Sequence, residues 1–277
     1  MNNFEEYVSD INRQFSIVCH RGLWGKYPEN SISAIKNAID NNFSIVEIDV
    51  RRSLDGEFFL MHDEDLNRTT NISGKVSDNL SSKISDAFLK KNKENETVIS
   101  DEKVPMLIEV LEAFKTKAFF DIDVKDQSDR ESLINFIHEN EFEAFVDVKK
   151  PLQNLAEANE FINNEHGSNI IKMIVLNITN QPIEEIFKII DLTKPKIAEI
   201  NFHDHSIFQK VLDFCLEKGV TVWVNTLNDV PNGGFTDKFA LWSPYECWGV
   251  LIKKGVSIIQ TDYPTILKNW YQDNYFK

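Results

Sequence analysis

The chain has 277 residues, 42% of them hydrophobic, and a formal charge of −14. That length fits one α/β barrel or two small domains, with enough apolar content for a full core. The negative charge argues against nucleic acid or an anionic lipid surface as a partner. No run reaches the roughly 18 apolar residues of a membrane span, so stable membrane insertion is not expected.

Residues Met1 to Gln14 are polar and acidic. They lack the basic start and apolar core of a secretion signal, so the expected location is the cytoplasm, the alternative being a secreted protein whose signal has been trimmed. Cys19, Cys215 and Cys247 form no metal-ligand spacing and no disulfide framework, so buried free thiols are expected.

In chain order, a strand over Phe15–His20 runs into His20–Arg21–Gly22, and a helix begins at Asn30 or Ser31, just after Pro28. A second strand covers Ser44–Val50. Asp55–Gly56 is a turn signal, and the apolar run Glu57–Met61 follows too soon for a parallel crossover. It should fold back as a hairpin or extended loop. With Asp55 at the turn, facing positions sum to about 110. His62 then lies opposite Ile48, flanked by Glu47 and Asp49. From about Glu64 to Lys103, including the mixed-charge stretch Lys90–Glu96, the chain is polar and irregular. It reads as a small excursion over a barrel mouth.

Further strands are expected over Ala118–Asp123, Ala144–Val148, Ile171–Leu176, Ile197–Phe202, Val220–Asn225 and Ser257–Thr261. A helix over Ser206–Lys218 stops at Gly219. Ser243–Pro244–Tyr245–Glu246 reads as a capping box, and its helix ends at Gly255. The aromatic segment Phe235, Phe239, Trp242, Tyr245 and Trp248 reads as helix packing or as a lid over a pocket. Eight strands alternating with helices predict a (β/α)8 TIM barrel, one domain over 1–277, with a small insertion at about 64–103.

Alternate residues of a strand share a face, so Glu47 and Asp49 point the same way from an apolar strand. Two like charges there need a divalent cation or an Arg/Lys network. Asp121, Asp123 and Lys125 repeat the pattern. Asp123 could supply a third oxygen ligand and Lys125 could meet a phosphate. His20 ends its strand where barrel active sites are built, and Arg21 is a candidate phosphate clamp or rim ion pair. His138, His166, His203 and His205 read as surface or packing residues. Histidines with clustered carboxylates and a lysine suit metal-assisted cleavage of a phosphate ester.

Several of these pieces share an order and spacing with a known family. They are His20–Arg21–Gly22, Pro28–Glu29–Asn30–Ser31, Glu47–Ile48–Asp49–Val50, Asp55–Gly56, His62–Asp63, and Leu66 with Arg68–Thr69–Thr70 and Gly74. Pro105–Met106–Leu107, Asp123–Val124–Lys125, Trp223–Val224–Asn225–Thr226 and Thr261–Asp262–Tyr263–Pro264 continue the match. Together they resemble the glycerophosphodiester phosphodiesterase family over nearly the whole chain. The resemblance implies a TIM barrel with a small insertion and one divalent cation, Mg²⁺ or Ca²⁺. It implies His20 and His62 as the acid–base pair, Glu47 and Asp49 as metal ligands, and Arg21 and Lys125 near the phosphate. Glu29 matches an acid that organises the site, and Trp223 would pack on the carbon face of a glycerol. One departure is Asp123–Val124–Lys125, where most of the family has Glu-x-Lys. The related sphingomyelinase D-type phospholipases also use Asp-x-Lys, but their cysteine-bridged catalytic loop is absent here. The implied partner is a small-molecule phosphodiester, hydrolysed to an alcohol and glycerol phosphate. The rival readings are cyclic-phosphate release from a lysophospholipid or sphingolipid, and a non-catalytic binding barrel.

Overall fold

The computed structural model describes residues 3–10, 15–93, 96–164, 169–179, 181–230 and 232–275. The described strands, in chain order, begin with β1 (Ser16–Cys19), β2 (Ile45–Arg52), β3 (Phe58–Leu60), β4 (Phe88–Lys93), β5 (Glu96–Lys103) and β6 (Phe119–Val124). They continue with β7 (Val146–Val148), β8 (Lys150–Leu152), β9 (Met173–Asn177), β10 (Ile197–Asn201), β11 (Thr221–Asn225) and β12 (Ile258–Thr261). The chain divides into two compact units. One spans Cys19–Val148; the other takes the chain up to Val18 and from Lys149 onward. His166 lies outside the described residues, as do parts of the Met1–Gln14 and Lys90–Glu96 stretches.

In the first unit β2, β6 and β7 are parallel neighbours. Ile45, Val46, Ile48 and Val50 are fully buried, which explains why β2 reads as a near-continuous apolar run. The β2–β6 register sets Glu47 opposite Asp121 and Asp49 opposite Asp123. Beyond the Asp55–Gly56 turn, β3 returns antiparallel to β2. Val50 faces Leu60, Arg51 faces Phe59 and Arg52 faces Phe58. Gly56 supplies the left-handed conformation (φ +98°) that this turn requires. Met61 N–H donates to the Asp49 carbonyl at 2.9 Å, extending the same pairing to the doorstep of His62.

The segment expected to be irregular is partly ordered. Strands β4 and β5 form an antiparallel hairpin, and a 3₁₀ turn (Val76–Asp78) and a short helix (Ser81–Ser85) precede it. Phe59, Met61, Leu66, Val76, Ile84, Ala87, Leu89 and Val104 build a separate small core. Apart from the alternating pairs Phe59/Met61 and Ala87/Leu89, its members come singly from turns and short elements. No period common to the whole core therefore shows in the sequence.

In the second unit β8, β9, β10, β11 and β12 follow one another in parallel. Ser16 N–H of β1 donates to the Ser257 carbonyl just before β12. The fourth expected strand is shorter than its range, because Glu143–Phe145 is a 3₁₀ turn. Strand β8, which contains Pro151, was not expected at all. Two of the expected helix limits match closely. Ser31 caps Ile32–Asp40 by accepting from Ala34 N–H at 3.0 Å, and His205–Glu217 ends before Gly219 (φ +71°). The expected capping box at Ser243 is not formed. Ser243 instead ends the helix Asp237–Trp242, and Tyr245–Gly249 is a π-helical turn without a side-chain cap. That turn runs into Val250–Lys254, which stops at Gly255 as expected.

Candidate active site

All of the candidate site residues except Trp223 belong to the first unit. The parallel register of β2 and β6 gathers Glu47, Asp49 and Asp123, whose ligand oxygens lie within 4.8 Å of one another. Glu47 and Asp49 are each only 1% exposed. Lys125 reaches back to both aspartates, with Nζ 2.9 Å from Asp49 Oδ1 and 2.9 Å from Asp123 Oδ2. Asp49 Oδ2 lies 3.0 Å from Arg21 Nε and accepts from Asn30 Nδ2 at 2.8 Å.

The loop after β1 aims these groups by backbone strain. Arg21 (φ +56°) and Asn30 (φ +55°) both sit in the left-handed region, which disfavours side chains. In that turn Arg21 N–H donates to Glu47 Oε2 at 3.0 Å, while its guanidinium meets Asp49 and Glu29. Gly22 (φ +85°) allows the turn to rest on the next helix, since a Cβ there would lie 2.9 Å from Ala34 backbone. Asn30 both donates to Asp49 and accepts its backbone N–H at 3.2 Å.

Charge in this cluster is uneven. Burial alone would push Asp49 upward, but Lys125 and then Arg21 outweigh it and hold the carboxyl well below its ordinary range. Burial likewise disfavours the Lys125 ammonium, and Asp49 and Asp123 overcome it, so Lys125 stays charged. The carboxyl groups of Glu47, Asp49 and Asp123 thus converge beside Arg21 and Lys125. Their oxygens are hard donors, buried at Glu47 and Asp49 and half-buried at Asp123, a set that suits a divalent cation. Asp123, one methylene shorter than a glutamate, still reaches the group.

The two histidines flank this cluster. His20 Nε2 is 4.0 Å from Glu47 Oε2. His62 Nδ1 is 2.8 Å from Asp63 Oδ1, and Arg51 Nε donates to the His62 carbonyl at 2.9 Å. Both histidines lie close enough to favour the Asp49 anion. Burial lowers the His62 pKa despite the opposing pull of Asp49 and Asp63. A cavity of about 200 Å³ opens beside Lys125, bounded by Arg51, Glu64, Ser77, Gln127 and Asp129.

Trp223 is a different case. Its indole is fully buried in the second unit, with Nε1 donating to Asn225 Oδ1 at 2.6 Å. That burial does not support the expected contact with a glycerol. The aromatic segment is mixed. Phe235 and Trp248 are core residues, whereas Trp242 is 83% exposed. His138 pairs with Glu143, and His205 lies against the Gly233 carbonyl, both at the surface. The three cysteines are free and buried. Reading the sequence missed Asn30, Asp63 and Arg68 as parts of the site, although all three stand inside the motif stretches.

Known proteins bear on this arrangement in three ways. The family model described as "Glycerophosphoryl diester phosphodiesterase family" matches residues 20–188, and a domain of unknown function matches residues 172–271. A glycerophosphodiester phosphodiesterase of Bacillus altitudinis is 35% identical over 109 residues, covering 39% of this chain and 44% of its own. One from Caldanaerobacter subterraneus is 34% identical over 138 residues, covering 47% and 55%. The aligned part thus spans about half the length of these curated relatives. A crystal structure of a glycerophosphoryl diester phosphodiesterase from Parabacteroides distasonis matches 99% of this chain and 93% of its own, with a TM-score of 0.81 and 23% identity. That likeness establishes the fold class, the (β/α)8 barrel expected from the strand count. With the family model covering the acid cluster, both flanking histidines and the insertion, the chain belongs to the glycerophosphoryl diester phosphodiesterase family.

Proposed function

We propose that the chain hydrolyses a glycerophosphodiester to an alcohol and glycerol phosphate. In this reading Glu47, Asp49 and Asp123 hold one divalent cation, Mg²⁺ or Ca²⁺. His20 and His62 are the acid–base pair. The observation that carries the reading is the convergence of three carboxylates, drawn together by β2 and β6 with ligand oxygens within 4.8 Å of one another. Bound there, the cation would offset the charge of the phosphate and polarise its oxygens.

The rest falls to the chain's own side chains. Arg21 and Lys125 are already charged and held in place, so their remaining N–H groups can meet the non-bridging phosphate oxygens without reorganising. His20 takes a proton from the attacking water. His62 donates one to the oxygen of the departing alcohol, using Nε2 while Asp63 occupies Nδ1. One water is consumed, the P–O bond to the alcohol breaks, and glycerol phosphate remains. The cavity beside Lys125 offers space for the part of the substrate beyond the phosphate.

The test is phosphorus NMR of a panel of glycerophosphodiesters and lysophospholipids, incubated with Mg²⁺ or Ca²⁺. Glycerol phosphate and free alcohol are expected. A cyclic phosphate as the final product would make the protein a lyase. Metal binding with no cleavage of any member would make it a binding barrel.

A further inference from the structure

Arg68 belongs to the insertion, yet its guanidinium reaches both sides of the site. Nε and NH2 donate to Asp63 Oδ2 and Oδ1 at 2.6 and 2.9 Å. NH1 and NH2 donate to Glu29 Oε2 and Oε1 at 2.8 Å each. Each carboxylate has a second partner nearer the cluster. Asp63 Oδ1 engages His62 Nδ1 at 2.8 Å, and Glu29 Oε1 receives Arg21 NH1 at 2.8 Å. One planar guanidinium thus joins the histidine to the arginine that contacts Asp49.

Stability alone does not explain this arrangement. The Arg68 side chain is 47% exposed, so solvent screens part of what its pairs contribute to folding. What a bidentate fork on two carboxylates provides is direction, because it fixes the planes of both. An Asp63 held in that plane keeps a proton on His62 Nδ1, leaving Nε2 as the nitrogen that exchanges protons. A lysine could neutralise the same carboxylates but could not set their planes.

We infer that Arg68 is a positioning residue, a clamp by which the insertion holds His62 through Asp63 and Arg21 through Glu29. The inference rests on the functional reading above, in which His62 is the acid and Arg21 meets the phosphate. Arg68→Ala and Arg68→Lys are compared with the wild type on a glycerophosphodiester. Lys103→Ala, which breaks the exposed pair with Asp86 elsewhere in the insertion, serves as the control. Both Arg68 variants should fold and melt near the wild type, with kcat lower by about 10–100-fold and KM little changed. Added methylguanidinium should restore part of the turnover of Arg68→Ala, and the control should match the wild type. Wild-type turnover in Arg68→Ala, full repair by lysine, or a loss confined to KM overturns the clamp. If the wild type itself cleaves nothing, the functional reading falls instead. The clamp is then judged by the downfield Nδ1 proton of His62, which should be present in the wild type and lost in Arg68→Ala. Its persistence in the variant refutes the clamp.

Discussion

Both units bury carboxylates, and they satisfy them in opposite ways. In the second unit Glu199 accepts from Lys149 Nζ at 2.9 Å, Asn225 Nδ2 at 3.0 Å and Asn201 Nδ2 at 3.3 Å. Asp237 accepts from Thr226 and Thr261 hydroxyls at 2.6 Å each and from Asp262 N–H at 2.8 Å. Each acid there is closed by its own donors. In the first unit Glu47, Asp49 and Asp123 converge within 4.8 Å, and Lys125 and Arg21 are each shared between carboxylates. Burial of an acid is therefore no guide to function. The balance of donors against acceptors is, because a closed set has nothing left to offer a ligand.

The largest effect is expected where the closed set is broken. Lys149→Ala strands a buried Glu199 charge and should destabilise the protein by about 3–5 kcal/mol, read by denaturant unfolding. A change within about 0.5 kcal/mol, the range of an ordinary surface substitution, would show that the second unit's acids are not closed as described. In the open set the effect should fall on turnover instead. His20→Ala and His62→Ala should each lower kcat by about 10²-fold or more with the melting temperature preserved. Near-normal turnover in either variant removes that histidine from the mechanism.

The smallest effect is a difference in pH response. Burial would raise Glu29, but Arg68 and Arg21 together hold it below its ordinary value, and Arg68 bonding holds Asp63 well below its own. Their contribution to stability is present above about pH 4 and is lost as pH falls through the folded values. Burial instead raises Asp237, against the opposing bonds from Thr226 and Thr261. Its sign is reversed. The stability it contributes is present below its ordinary value of 3.8 and is lost as pH rises through the folded value. Melting curves of Asp237→Asn should therefore gain on the wild type as pH rises from that value. A gap that narrows in the other direction contradicts the assignment.

Much of this was legible because it obeys short-range rules. The Asp55–Gly56 turn fixes a two-residue period, and β3 pairs with β2 in the register that the arithmetic requires. The alternation of Glu47 with Asp49 is a property of any strand. What escaped depends on contacts distant in sequence or on special backbone. Arg68 meets Glu29 across 39 positions, and Asn30 serves Asp49 only because it adopts a left-handed conformation. Lys149 meets Glu199 across 50 positions. No local pattern announces such pairs. The small core of the insertion was hidden for a related reason, since its members lack a common period.

Metal-linked melting, followed by assay with and without chelator, tests the central claim most directly. Mg²⁺ or Ca²⁺ at about 100 times its dissociation constant should stabilise the wild type by about 2.7 kcal/mol. Asp49→Asn should lose most of that gain, and excess chelator should abolish release of glycerol phosphate. Full turnover in excess chelator, or an equal metal response in Asp49→Asn, would contradict a cation held by Glu47, Asp49 and Asp123.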